Sequence, residues 1–309
     1  MQKDPYDWAK ERIGYLVEKI DPIKNDGLVT SPGKIWSIKK LLALDYYIAS
    51  THKIFKKNFD EWLYVDTHCG SGVIGFDDDP LLKLEKFPGS PLVATLRNTY
   101  NPFTDYLLSD SSAESISALN KRLKQLRIHV GSKNYKPVVR TFADTVQEIK
   151  NKEKWGRVFL IFVDPTGFTE LKWNDVSKLL SIKKADIFIT FMSYSFALNR
   201  PHALPGTEHE KRFDSVFGNS NWKNCSNQDE LLELYLRQIK IFKDYVEVIP
   251  VFRTGENKLY DLIFASSNPS GAGSVMTYIK GIMDNVTTDL IEDALKVATK
   301  KTTDLDKWM

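Results

Sequence analysis

The sequence predicts an α/β fold in which a mostly parallel central sheet carries helices on both faces and an antiparallel hairpin closes its carboxyl-terminal side. Three observations predict it. Residues 62–76, Trp-Leu-Tyr-Val-Asp-Thr-His-Cys-Gly-Ser-Gly-Val-Ile-Gly-Phe, run from a β-branched and aromatic strand through a carboxylate into glycines. Glycines there let the backbone turn sharply and approach a ligand at the carboxyl edge of a parallel sheet. Arg157 to Val163 is almost continuously apolar, as a strand buried on both faces must be, and it ends in Asp164-Pro165-Thr166-Gly167-Phe168. Val246 to Phe252 and Leu259 to Ser267 read as strands joined by Gly255-Glu256-Asn257-Lys258, a hairpin signal.

The loop after Asp66 reads as a cofactor loop, with an ordinary tight turn as the competing account. Gly70, Gly72 and Gly75 reproduce the glycine spacing of dinucleotide-binding proteins. A nicotinamide loop, however, begins within a residue or two of its strand and expects a ribose acid about 20 residues further on. Here Asp66 closes the strand itself, and the irregular Phe87-Pro88-Gly89-Ser90-Pro91 stands where the ribose acid would fall.

Composition bounds the rest. At 309 residues, with 42% hydrophobic and 27% charged residues, the chain fits one soluble α/β domain with extensions. The expected divisions are an N-terminal helical extension over 1–55, a core over 56–270 and a C-terminal helical tail over 271–309. A net charge of +3 arises from 43 bases against 40 acids, so no global field draws the chain to nucleic acid. No run approaches the roughly 18 apolar residues of a membrane span, and no apolar leader opens the chain, so a cytoplasmic protein away from membranes is expected. Two cysteines, Cys69 and Cys225, are too few for a disulfide framework or a metal site, and both are expected as reduced thiols.

In chain order, Trp8, Ile13, Leu16, Val17 and Ile20 recur at helical spacing until Asp21-Pro22. Ile35 to Ala49 reads as a second helix, whose Trp36 and Lys39 either cover the cofactor or pack and solvate in the ordinary way. Asp77-Asp78-Asp79-Pro80 reads as a solvated acidic turn. Ser90 and Pro91 open a helix. Tyr106 to Asp110 is a strand ending in an acid, before a helix over Ala113 to Leu126. Val138 to Phe142 is a further strand, followed by Ala143-Asp144-Thr145. Asp186 to Met192 is a fifth strand, and Ser193 to Pro205, with Asn199, Arg200 and His202, is a long polar connection. Helical stretches follow around Glu208 to Phe217, Asp229 to Tyr245, Val275 to Met283 and Asp289 to Lys300. The basic groups Lys53, Lys56 and Lys57, and Lys121, Arg122, Lys124 and Arg127, are either solvated helix faces or nucleic-acid contacts.

An acid at a strand end followed by Cys-Gly-Ser-Gly resembles motif I of the class I S-adenosylmethionine-dependent methyltransferases, a Rossmann-like fold. The ordered set Asp66-Thr67-His68-Cys69-Gly70-Ser71-Gly72, Gly89-Ser90-Pro91, Asp164-Pro165-Thr166-Gly167 and Tyr260-Asp261-Leu262-Ile263-Phe264 resembles the three-Cys-motif partner (TcmP) family of methyltransferase-like proteins. The resemblance runs from the second helix to the final strand. It implies an S-adenosylmethionine cofactor held by the loop residues Asp66, His68, Cys69, Gly70 and Gly72, with the Asp66 carboxylate accepting from the cofactor's ammonium. It implies Asp110 as the acceptor of the ribose hydroxyls and Asp144 as the acceptor of the adenine amine; helix capping is the competing role of both. It implies a separate three-Cys-motif partner protein. Asp164-Pro165 also resembles the Asp-Pro-Pro-aromatic motif of amino-methylating nucleic-acid enzymes, with Thr166-Gly167 replacing the second proline and the aromatic, and Phe168 arriving later. Asp164, Pro165 and Phe168 are therefore the expected catalytic residues.

Three functions compete at this stage. One is a methyltransferase acting on a nucleic-acid base or modified nucleoside together with the partner. Another is a catalytically silent cofactor-fold subunit that binds a protein or nucleic acid. The third, a nicotinamide oxidoreductase, survives only through the glycine spacing.

Overall fold

A computed structural model describes residues 4–76, 82, 85–97, 102–127, 137–253 and 257–299. The acidic turn at 77–80 and the hairpin residues Gly255 and Glu256 lie outside these. The chain opens with helix α1 (Pro5–Ile20), which Asp4 caps through Tyr6 and Asp7 amides. A two-residue strand β1 (Ser31–Pro32) precedes helix α2 (Ser37–Asn58), nine residues longer at its carboxyl end than the sequence pattern indicates. Strand β2 (Glu61–Asp66) then carries the first acid.

The glycine loop runs into β3 (Val73–Gly75), which pairs antiparallel with β4 (Lys86–Pro88) and parallel with β1. This three-stranded sheet has no signature in the sequence, because strands of two and three residues are too short to show alternation. It fixes the carboxyl end of the glycine loop. Helix α3 (Ser90–Arg97) follows, then β5 (Asp105–Asp110) and α4 (Ala113–Gln125), which Ser112 caps through the Ser115 amide. Strand β6 (Val138–Val139) is shorter than the predicted Val138 to Phe142, because Thr141 caps α5 (Phe142–Asn151) and ends the extended backbone. Strand β7 (Arg157–Val163), α6 (Trp173–Leu180) and β8 (Ala185–Phe191) complete the parallel part.

The predicted connection from Ser193 to Pro205 is instead a short helix, α7 (Ser193–Asn199), and a 3₁₀ turn, Arg200–His202. Helices α8 (Glu208–Phe217) and α9 (Gln228–Ile239) lead to β9 (Tyr245–Phe252) and β10 (Lys258–Ser266). A π-helical turn, Pro269–Gly273, then enters α10 (Ser274–Met283), and α11 (Thr288–Ala298) ends the described chain.

Seven strands form one sheet in the order β6-β5-β2-β7-β8-β10-β9. The pairs from β6 to β8 are parallel, and β10 runs antiparallel to both β8 and β9. This is the mostly parallel, hairpin-closed, Rossmann-like α/β sheet that the sequence predicts. Strands β2 and β7 lie side by side at the centre, with Asp66 registered against Phe162. Helices α1, α2, α3, α4, α10 and α11 bury one face of the sheet, and α5 to α9 bury the other. Burial on both faces is why β7 reads as an almost unbroken apolar run. Among the described residues no helix is long and apolar enough to cross a membrane.

Candidate active site

Three adjacent parallel strands end in or beside acids at the carboxyl edge: Asp66 on β2, Asp110 on β5 and Asp164 just past β7. Open α/β sheets bind ligands at this edge, where the crossovers change direction. Asp66 is fully buried. Its carboxylate accepts from Tyr64 Oη at 3.0 Å and the His68 amide at 3.3 Å, and it also takes a hydrogen bond from Ser90. Burial nevertheless pushes its pKa up to about 7, and the neighbouring charge of Asp164 adds to the rise. Ser90, which the sequence offers as a helix cap, brings α3 to the acid.

The loop above Asp66 owes its shape to glycine at two positions. Gly70 has φ +56° and Gly72 φ +82°, backbone that a side chain disfavours. A Cβ on Gly70 would lie 2.5 Å from Ser31 Oγ, and one on Gly72 would lie 2.6 Å from Leu119 Cδ1. The neighbouring strand holds the same loop: the Cys69 amide donates to the Ser109 carbonyl at 2.9 Å, and the Gly70 amide to Asp110 Oδ2 at 2.8 Å. Asp110 Oδ1 accepts from the Ser112 amide. Asp110 therefore orders the loop, while the capping of α4 falls to Ser112.

A deeper anchor is Arg122. Its guanidinium is fully buried and donates to Asp26, to the Leu28 and Val29 carbonyls and to the Ser71 carbonyl at 2.8 Å. Both sequence accounts of this residue, a solvated face and a nucleic-acid contact, are corrected: it ties the 26–31 segment to the glycine loop. Burial raises the pKa of Asp26, but the hydrogen bonds from Arg122 and the Leu28 amide outweigh that and leave it below the usual carboxylate range.

Asp164 is half-buried and faces Lys40, whose ammonium lies 2.7 Å from Oδ1 and 2.6 Å from Oδ2. The same ammonium sits 5.4 Å from the centre of the Tyr260 ring. Tyr260 Oη in turn donates to the Trp36 carbonyl at 3.2 Å, so the start of α2 closes over the β7 turn. The helix presents Lys40 here and not Lys39. Lys39 is buried on the side of Asp284, where desolvation lowers its pKa to about 8. The Trp36 ring lies under the Arg253 guanidinium at 5.7 Å.

The loops after β2 and β7 are linked by Glu170. Its Oε1 accepts from Thr166 Oγ1 at 2.5 Å and from the Gly167 amide at 3.0 Å, and its Oε2 lies 3.3 Å from His68 Nε2. The close approach of His68 leads the interactions that pull Glu170 down to about 2. The His68 ring stacks on Phe142 at 5.5 Å, and its Nδ1 meets Thr67 Oγ1 at 2.8 Å.

Two other sequence-predicted residues stand elsewhere. Phe168 is expected at an acceptor, but its ring packs against Phe196 and Phe213 at 4.7 and 5.6 Å, inside the aromatic core under α7 and α8. Pro165 is buried beside it in the turn. Asp144 is exposed in the first turn of α5, where its carboxylate accepts from Thr141 Oγ1 at 2.7 Å. Cys69 is a free, buried thiol whose pKa desolvation pushes well upward. Among the described residues no cluster of metal-ligating side chains occurs.

No family model and no curated protein matches the sequence. Solved structures to which the chain is similar include a protein of Legionella pneumophila str. Philadelphia 1 of the family-model DUF519. It shows 13% identity and a TM-score of 0.44 over 79% of this chain and 93% of that one. The plantazolicin methyltransferase BpumL in complex with SAH is 11% identical, with a TM-score of 0.36, over 84% of this chain and 97% of that one. An O-methyltransferase from Bacillus cereus in complex with SAH is 10% identical, with a TM-score of 0.37, over 83% of this chain and 99% of that one. The fold rests on the strand order and not on these low scores.

Proposed function

We propose that the chain is an S-adenosylmethionine-dependent methyltransferase. The observation that carries this is the buried Asp66 carboxylate at the end of a central strand, beneath two positive-φ glycines and within electrostatic reach of Asp164 on the next strand. The donor set suits the cofactor: a desolvated carboxylate for its ammonium, close-approach backbone at Gly70 and Gly72, and a second carboxylate, Asp110, one strand over for the ribose. When bound, the cofactor supplies an electrophilic methyl group on a sulfonium.

The protein's own part is alignment. Asp164, held by Lys40, offers a fixed negative charge to an acceptor's N–H, while Glu170 keeps the Asp164 turn in register with the glycine loop through His68. Paired with Lys40, the Asp164 carboxylate orients a nucleophile and offsets the positive charge that develops on it. The finer reading, supported by the motif set, is a member of the three-Cys-motif partner family that methylates a nucleic-acid base or modified nucleoside beside its partner protein.

One observation favours the silent alternative: both Asp164 oxygens already have Lys40 as their partner. Calorimetry with S-adenosylmethionine, S-adenosylhomocysteine and NAD tests the cofactor. Binding of the first two without NAD is expected; tight NAD binding with no response to S-adenosylhomocysteine overturns the proposal. Methyl transfer to a nucleoside pool, with and without the partner, then separates an active from a silent subunit.

A further inference from the structure

The opposite, amino-terminal edge of the sheet carries a cavity of about 250 Å3. It opens between the carboxyl-terminal half of α2, the starts of β7 and β8, the end of β10 and the π-helical turn Pro269–Gly273. Such turns are rare and recur at functional sites. Tyr47, Phe55 and Phe59 supply aromatic walls, and Asp186, Ser266 and Asn268 supply polar ones. Asp186 accepts from Tyr47 Oη at 2.7 Å and from Ser266 Oγ at 2.6 Å. The pairing of ring faces with hydrogen-bonding groups matches a heteroaromatic base, and the volume matches one or two fused rings.

The rim is basic. Lys183 and Lys184 line the mouth, and Lys53, Lys56 and Lys57 are exposed on the last turns of α2. Within 51–60 and 181–186 five lysines face two carboxylates, the buried Asp186 and the exposed Asp60 beside Gly156. Glu61, at the same edge, is taken by Lys154 and Arg157. Beside the mouth Trp155 is 86% exposed. Lys184 Nζ lies between its ring and that of Phe59, 5.7 and 5.8 Å from the centroids. Lysines interleaved with exposed aromatic rings are the construction of surfaces that bind phosphates and stack bases.

We propose that this edge is a nucleotide-binding site separate from the cofactor cleft: an unstacked base enters the cavity, Lys183 and Lys184 meet its phosphate, and Trp155 stacks an adjoining base. The site stands independently of the methyltransferase reading. Its ligand chemistry, an aromatic base bearing phosphate, is shared by free nucleotides and by single-stranded nucleic acid.

The test uses AMP and a labelled single-stranded RNA of roughly 12 nucleotides, with saturating S-adenosylhomocysteine closing the other edge. RNA affinity is expected to fall steeply between about 50 and 200 mM salt. Trp155→Ala, and Lys183→Gln combined with Lys184→Gln, should each weaken RNA binding about tenfold. Val275→Trp, which fills the cavity wall, should abolish AMP binding. An unchanged thermal unfolding midpoint reports that each variant is folded, whether or not S-adenosylhomocysteine binds. AMP binding as tight as RNA points to a free nucleotide, and RNA binding at least about tenfold tighter points to a strand; both uphold the site. Unchanged RNA binding in the tryptophan and lysine variants, or equal displacement by polyglutamate, overturns it.

Discussion

At Asp164 the carboxylate and its ammonium partner act as one unit. Asp164→Asn keeps the shape and one acceptor oxygen but removes the charge that Lys40 holds in place. The expected outcome is unchanged S-adenosylhomocysteine affinity with a turnover loss of roughly two to four orders of magnitude; equal loss of cofactor binding and stability would mark a structural aspartate. Lys40→Met leaves the charge but frees the carboxylate to swing, so kcat should fall about tenfold or more while calorimetric cofactor affinity stays. Cys69 bears on the same chemistry only by contrast. Desolvation keeps it a thiol, and a thiol is a poor nucleophile, so Cys69→Ser should leave turnover within about twofold. A marked turnover loss at normal cofactor affinity would give Cys69 a chemical role. Asp66 and Asp164 were legible because strand, acid and glycine follow one another within a few residues, and Asp110 because it closes a strand just before a helix. Lys40 and Glu170 were not. They reach their partners across 124 and 102 positions of sequence, and no local pattern encodes such a meeting.

At the scale of elements, helix phase was the main thing the sequence left open. Helix α2 buries Ile38, Leu41, Leu42, Ala43, Leu44, Tyr47 and Ile48, apolar nearly all round, so its periodicity cannot say which of two adjacent lysines faces the sheet edge. Helix α7 buries only Ser193 and Phe196, too few positions for any period, and hence it reads as a loop. Helix α4 misleads differently. Arg122 sits among Lys121, Lys124 and Arg127, yet only its guanidinium turns inward to the carboxylate of Asp26 and to three backbone carbonyls. Removing it strands a buried acid. Arg122→Met should therefore cost about 3–5 kcal/mol in a urea melt, whereas a solvated arginine would cost under about 0.5. Because Arg122 also donates to the Ser71 carbonyl, the same variant should weaken S-adenosylhomocysteine binding, and Gly72→Ala should do so with a smaller loss of stability.

Over the whole molecule, the central strands were readable because they are buried and end in turn chemistry, while their order, and the small sheet around the glycine loop, came only from the structure. What the assembled fold adds is a set of acids, buried and half-buried, with opposed pH behaviour. Burial raises Asp66 to about 7 and also lifts Asp186 and Asp45, the latter despite Arg97 and Arg12 nearby. Groups raised in this way contribute stability that is complete below the unfolded carboxylate range near 4 and is lost as pH rises through the folded value. Glu170, pulled down to about 2, works in the other direction: its contribution is present above about 4.5 and disappears as pH falls toward 2. Under the proposed function, cofactor binding would reverse the preference at Asp66, because an ammonium needs the ionised carboxylate. Binding below pH 7 must therefore release a proton from Asp66, and affinity for S-adenosylhomocysteine should weaken as pH drops from about 7, approaching tenfold per unit. At the alkaline end it should weaken again once the ligand's amino group loses its proton. Asp66→Asn should flatten the acidic limb and lower the maximum. Calorimetry from pH 5.5 to 9, with the thermal shift on adding S-adenosylhomocysteine followed in parallel, reads both limbs. An affinity that stays level between pH 5.5 and 7.5 would mean that Asp66 does not meet the ammonium, and the cofactor would have to be held by the other strand-end acids.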